Sequence, residues 1–230
     1  MIPRTAGCAV ALCALLGAMP PAYDSQYVLE RYARAVTALS TPSALIYSYT
    51  VSQVGPNNIE QHHRIYRSGV AVRDETLSVD GIPLGRKIVR FSHHPERYTV
   101  ARFAPHASAY ELLFLGTVRD GRHLDYQYEA TPMSRPAGAW IDRVTIDGER
   151  FLPRTVRFHS AGTSAAGSGE IVFAPFGKYW MPVIADAQAR VNGKPAREHI
   201  VWSDYRFPDS LPSSTFEQPE PLPLAKPTLE

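Results

Sequence analysis

The sequence predicts a mainly β protein with a single helix: an antiparallel meander of about 11 strands behind one amphipathic helix. Three observations predict it. Alternating apolar and polar residues fill the chain from Leu45 to Phe207. Asp-Gly or Asn-Gly dipeptides at 80–81, 120–121, 147–148 and 192–193 separate such stretches, and these supply the positive φ of tight hairpin turns. Helical periodicity is convincing in one place only.

The chain starts with Arg4, an uncharged and mostly apolar run from Ala6 to Ala18, and a small-residue zone ending at Ala22. This is the pattern of a signal peptide over residues 1–22. The run is too short for a membrane anchor, which needs ~20 apolar residues. Cys8 and Cys13 both lie in it, so the mature chain would carry no thiol and no disulfide. That excludes cysteine-ligated metals and thiol catalysis.

Asp24 and Ser25 offer capping oxygens ahead of the helix. Val28, Leu29, Tyr32, Ala35, Val36 and Leu39 then recur at helical spacing until Thr41-Pro42. Strands follow at 45–54, 59–67, 70–79, 84–91, 98–103, 110–119, 123–130, 140–146, 151–159 and 169–176. A last hairpin spans 178–207. Residues 162–169 read as a flexible loop. Residues 208–230 are rich in proline, which cannot donate to a ladder, so they read as an extended or disordered tail. Residues 23–207 then form a single domain.

A two-residue turn at Asn192-Gly193 sets the register of the last hairpin. Trp180 then faces Tyr205, Ile184 faces Val201 and Asp186 faces His199. One face carries Met181, Val183, Ala185, Ala187, Ala189, Ile200 and Trp202. Large apolar groups beside small alanines leave room for something to lie against the sheet. A single helix, ~10 Å wide, covers only a few strands spaced ~4.8 Å apart. These seven residues are therefore the candidate ligand-binding set, the alternative being a filled core.

Net charge is +2 and no Lys/Arg run is dense enough for nucleic acid. His62-His63 and His93-His94 are adjacent pairs. On a strand such neighbours point to opposite faces, so they read as surface or loop histidines rather than metal ligands. Asp186 and His199 read as a cross-strand ion pair. There is no GxSxG elbow, phosphate loop or dinucleotide fingerprint. The expectation is a protein that is not an enzyme and has no cofactor.

Phe151 to His159, "YWMP" at 179–182 and "VWSDYRFPDSLPSSTFEQP" at 201–219 resemble the LolA-like lipoprotein-sorting carriers. The N-terminal helix leading into long strands fits as well. The resemblance implies an open, strongly curved half-barrel sheet with the helix against its concave face. It also implies an exported periplasmic carrier or binder of a lipid, acyl chain or lipoprotein, with only transient membrane contact. The alternative is an envelope structural or stress-sensing protein that docks a protein partner on the same surface.

Overall fold

The computed structural model describes residues 23–55, 58–121, 123–134, 136, 138–160, 167–191 and 193–217. The signal-peptide reading, the residue Asn192 and the tail beyond residue 217 lie outside them. Helix α1 spans Ser25–Thr37, and the Asp24 carboxylate accepts the Gln26 N–H at 2.9 Å as its cap. Val28, Tyr32 and Val36 form its buried stripe, as the i, i+4, i+8 spacing requires.

Eleven strands make one open antiparallel sheet. They are β1 (Ala44–Val54), β2 (Ile59–Ser68), β3 (Ala71–Val79), β4 (Ile82–His93), β5 (Tyr110–Asp120), β6 (His123–Pro132), β7 (Ala139–Asp147), β8 (Pro153–Ser160), β9 (Gly167–Phe176), β10 (Tyr179–Val191) and β11 (Lys194–Arg206). Their order is β4-β3-β2-β1-β11-β10-β9-β8-β7-β6-β5. Two meanders, β1–β4 and β5–β11, thus lie side by side, joined where β1 pairs with β11. The chain between β4 and β5 links the two outer edges, so it must cross the sheet. It does so on the inner face, the side that packs α1. Tyr98 meets Trp202 of β11, and Phe103 meets Phe158 of β8.

This strap corrects one strand expectation. Residues 98–103 read as alternating, yet Val100–Phe103 form a single helical turn, α2. The strap has left the sheet edge, so it has no ladder to join. Val100 is buried instead, 1% exposed.

Turn chemistry differs between sites. Asp80 and Gly81 both take positive φ, 50° and 76°, as a primed hairpin turn demands. At 147–148 the positive φ falls on Phe151 instead. Gly148 is needed for another reason: a Cβ there would collide with the Leu124 carbonyl oxygen. The chain spends residues 148–152 on this wider turn, so β8 begins at Pro153 rather than at Phe151. At the far end, Ser213–Phe216 form a 3-10 turn. Arg73 of β3 donates to the Thr215 carbonyl at 3.2 Å, so this stretch of the proline-rich tail is seated on the sheet.

Candidate ligand-binding site

The inner face divides into two regions. Over β6 to β9 it is dry: Tyr126, Tyr128, Val144, Ile146, Val156, Ile171 and Phe173 are at most 1% exposed. Helix α1 closes this region. The Tyr128 hydroxyl donates to the Ser25 carbonyl at 2.9 Å, and the Tyr126 hydroxyl accepts the Tyr23 N–H at 2.8 Å. Burial pushes the Tyr128 phenol up to about 12, so it remains a neutral donor.

Over β1 to β4 and β11 the face is hollow. The space here is about 540 Å³, within the ~300–1,000 Å³ of small-molecule pockets. Alternation along β1 sends Tyr47, Tyr49, Val51 and Gln53 inward. The ladders add Ile65 opposite Tyr47, Trp202 opposite Tyr49 and Ile200 opposite Val51. These residues supply an aromatic and aliphatic floor. The strap supplies Glu96, Arg97 and Tyr98. Tyr98 sits edge-on to Trp202 with ring centroids 5.0 Å apart.

Buried charges hold this end of the strap. Arg67 is 7% exposed and its Nε lies 3.0 Å from Glu96 Oε2. Its Nη1 donates to the His94 carbonyl at 2.8 Å, and the Tyr47 hydroxyl donates to Glu96 at 3.1 Å. Burial, reinforced by the Glu96 charge, raises the Tyr47 phenol well above its ordinary value.

His63 corrects an expectation. It is 4% exposed, not a surface histidine. Its Nδ1 lies 2.8 Å from Asp74 Oδ1, and its ring stacks on Tyr49 at 4.6 Å. The strand alternation that separates it from His62 is what turns it inward.

The seven candidate residues are placed unequally. Ile200 and Trp202 line the cavity. Ala185 is buried between Ile171 and Ile200 on the neighbouring strands. Ala187 lies between Glu198 and Gly169, and Ala189 between Ala196 and Gly167. Val183 sits at a β-bulge. Before it Met181 opposes Ala174 and Pro182 opposes Phe173; after it Ile184 opposes Val172 and Ala185 opposes Ile171. The extra residue reverses the alternation, so Met181 shares a side with Ala174 rather than with Ala185. The β10–β11 ladder likewise ends at Ile184 and Val201, so Trp180 and Tyr205 are not paired with each other, and Trp180 opposes Pro175 on β9. Trp180 donates its ring N–H to Pro153, and Tyr205 its hydroxyl to Pro182. Missed by sequence reading were Tyr47, Tyr49, Val51 and the strap residues. The alternation of β1 carried part of that signal.

The outer face holds a broader, polar groove of about 720 Å³. Asp186 and His199 meet in it at 2.7 Å, both exposed, in the expected register. Ser52 is opposite His199 in the ladder, but its hydroxyl donates to Glu60 at 3.1 Å. Nearby, Asp142 accepts from Arg157 and lies 2.9 Å from His159. Desolvation pushes the Asp142 carboxyl up, but these two partners outweigh it and hold it below the ordinary range. Such rows of partnered charges are what cross-strand neighbours on a wet face do. No group of three or more His, Cys, Asp or Glu able to hold a metal ion occurs among the described residues. Nor is any described helix long and apolar enough to cross a membrane.

No family model and no curated protein matches the chain. Among the solved structures that align with the chain are the following three. A LolA superfamily protein from Nitrosomonas europaea aligns with TM-score 0.43 and 13% identity over 86% of this chain and 99% of that one. An outer membrane lipoprotein-sorting protein domain from Vibrio parahaemolyticus aligns with TM-score 0.47 and 13% identity over 84% and 97%. A DUF1329 family protein from Desulfovibrio piger aligns with TM-score 0.44 and 11% identity over 84% and 96%.

Proposed function

We propose that the protein is an exported, periplasmic, non-enzymatic binder or carrier of a lipid or acyl chain, held in the inner-face cavity. The observation that supports this most is the cavity floor. Tyr47, Tyr49, Val51, Ile65, Ile200 and Trp202 set aromatic and aliphatic groups side by side on adjacent strands, with charged groups of the neighbouring strands and the strap beside them. An acyl chain on that floor loses its contact with water, at ~0.8 kcal/mol per methylene. The set expected from the hairpin, Met181, Val183, Ala185, Ala187, Ala189, Ile200 and Trp202, contributes to this reading mainly through its last two members.

The test is Val51→Trp. Val51 is half-buried and lines the cavity, so an indole there would occupy the space assigned to the ligand. Losing about four methylene contacts weakens binding by ~3 kcal/mol, roughly a hundred-fold. The expected outcome is lost uptake of a fluorescent fatty acid with little change in melting temperature. Unchanged uptake with a stable fold would refute the reading.

A second reading is an envelope protein that docks a protein partner. The edge strand β5 favours it, because Leu113, Phe114 and Leu115 are all exposed there beside unpaired backbone groups. Native mass spectrometry of gently purified protein separates the two: adducts of lipid mass support the first, a bound polypeptide the second.

A further inference from the structure

We infer that the cavity selects an amphiphile with an anionic head group and a single acyl chain, its head seated on Arg90 and Arg97. This rests on the cavity being a lipid site.

Three carboxylates line the cavity, and each is already engaged. Asp74 lies 2.8 Å from His63, Glu96 holds Arg67 at 3.0 Å, and Glu198 accepts from Gln53 at 2.7 Å. Of the guanidinium groups, Arg67 is consumed by Glu96 and two carbonyls. Arg90 and Arg97 are the remainder. Both are exposed and both line the cavity. Neither side chain makes a hydrogen bond or ion pair among the described residues, even though Arg90 stands opposite Asp74 in the β3–β4 ladder. Among the described residues that line the cavity, the charged side chains without a hydrogen-bond or ion-pair partner of their own are therefore two cations.

Their position suits a head group. Arg90 closes the row that runs from Tyr47 through Ile65 and Asp74. Glu198 stands opposite Gln53, six residues further along β1, or ~20 Å at the rise of a strand. Glu198 thus lies toward the other end of the floor from Arg90, and Asp74, the carboxylate opposite Arg90, is engaged by His63. A guanidinium presents its donors in a fork that matches a carboxylate or phosphate. The size of the hollow suits one chain.

The experiment uses displacement of the neutral dye 1-N-phenylnaphthylamine by ligands of equal chain length: dodecanoate, dodecyl phosphate, dodecanol and dodecylammonium, all as monomers. The proposal expects both anions to displace the dye at about tenfold lower concentration than dodecanol, the scale of one charge-assisted hydrogen bond, with dodecylammonium weakest. Whichever anion leads identifies the head group as carboxylate or phosphate. In the double variant R90Q/R97Q, with its dye affinity measured separately, the preference for anions over dodecanol should disappear. Dye binding with no preference for anions, or a preference that survives R90Q/R97Q, overturns this inference and leaves the lipid reading standing. Failure of the dye and of every amphiphile to bind overturns both.

Discussion

The two regions of the inner face are built from the same alternation and end as opposites. Over β6 to β9 the inward residues are apolar or are tyrosines whose hydroxyls find a partner on or beside α1. Over β1 to β4 the inward set includes Gln53, His63, Arg67 and Asp74 beside the aromatics. A helix can lie flat on the first set. It cannot lie on the second without stranding charges, because a buried charge left unpaired costs several kcal/mol. A cover is chosen residue by residue: the dry region takes a helix, and the charged region takes an irregular strap whose side chains and carbonyls can answer it.

The comparison breaks first if the dry region is not structural. Phe173→Ala should destabilise the fold by ~3–5 kcal/mol, lowering the melting temperature by roughly ten degrees. Dye affinity of the protein that remains folded should be unchanged; a loss of binding would mean that the regions are not separable. Next, Arg67→Met should cost ~2–3 kcal/mol by leaving Glu96 without its partner. Adding Glu96→Gln should restore much of that loss in a thermal melt, and no recovery would show that Arg67 acts by packing alone. A smaller effect belongs to Tyr128→Phe, which removes the bond to Ser25 and should cost ~1 kcal/mol. Hydrogen exchange should report it as faster opening of α1 and not of the strap. Smallest is Gln53→Ala at the cavity rim. Stability should change by no more than ~0.5 kcal/mol, read by denaturant midpoint. A larger change would place the rim within the structural core.

Much of this fold was legible because its strongest signals are local. Asp80-Gly81 announced its hairpin, and the stripe of Val28, Tyr32 and Val36 announced α1. The Asp186–His199 pair followed from counting back from a turn. The cavity was less legible because it depends on contacts between segments far apart in the chain. Nothing near Tyr49 indicates that its neighbour is Trp202. Nothing near Tyr98 indicates that it will lie across the sheet rather than join it. The bulge at Val183 shows the same limit on a smaller scale: one extra residue reverses the faces, and its only local sign is the adjacent Pro182.

The seam between β1 and β11 has a consequence for how this chain reaches its native state. Ser43 and Asp209, at the seam, are bonded across 166 residues. Every other ladder joins strands adjacent in sequence. Each meander can therefore zip up from its own turns, whereas the seam has to wait for the two ends of the domain to find each other. Closing so long a loop carries an entropic cost before any pairing rewards it, and such distant contacts slow folding. Stopped-flow refolding should show early strand signal followed by a slower phase that reports on Trp202, as the two meanders dock. Until then β1 and β11 are both unprotected edges in one chain. Because synthesis runs from the N-terminus, β1 waits through the making of nearly the whole domain before its partner arrives.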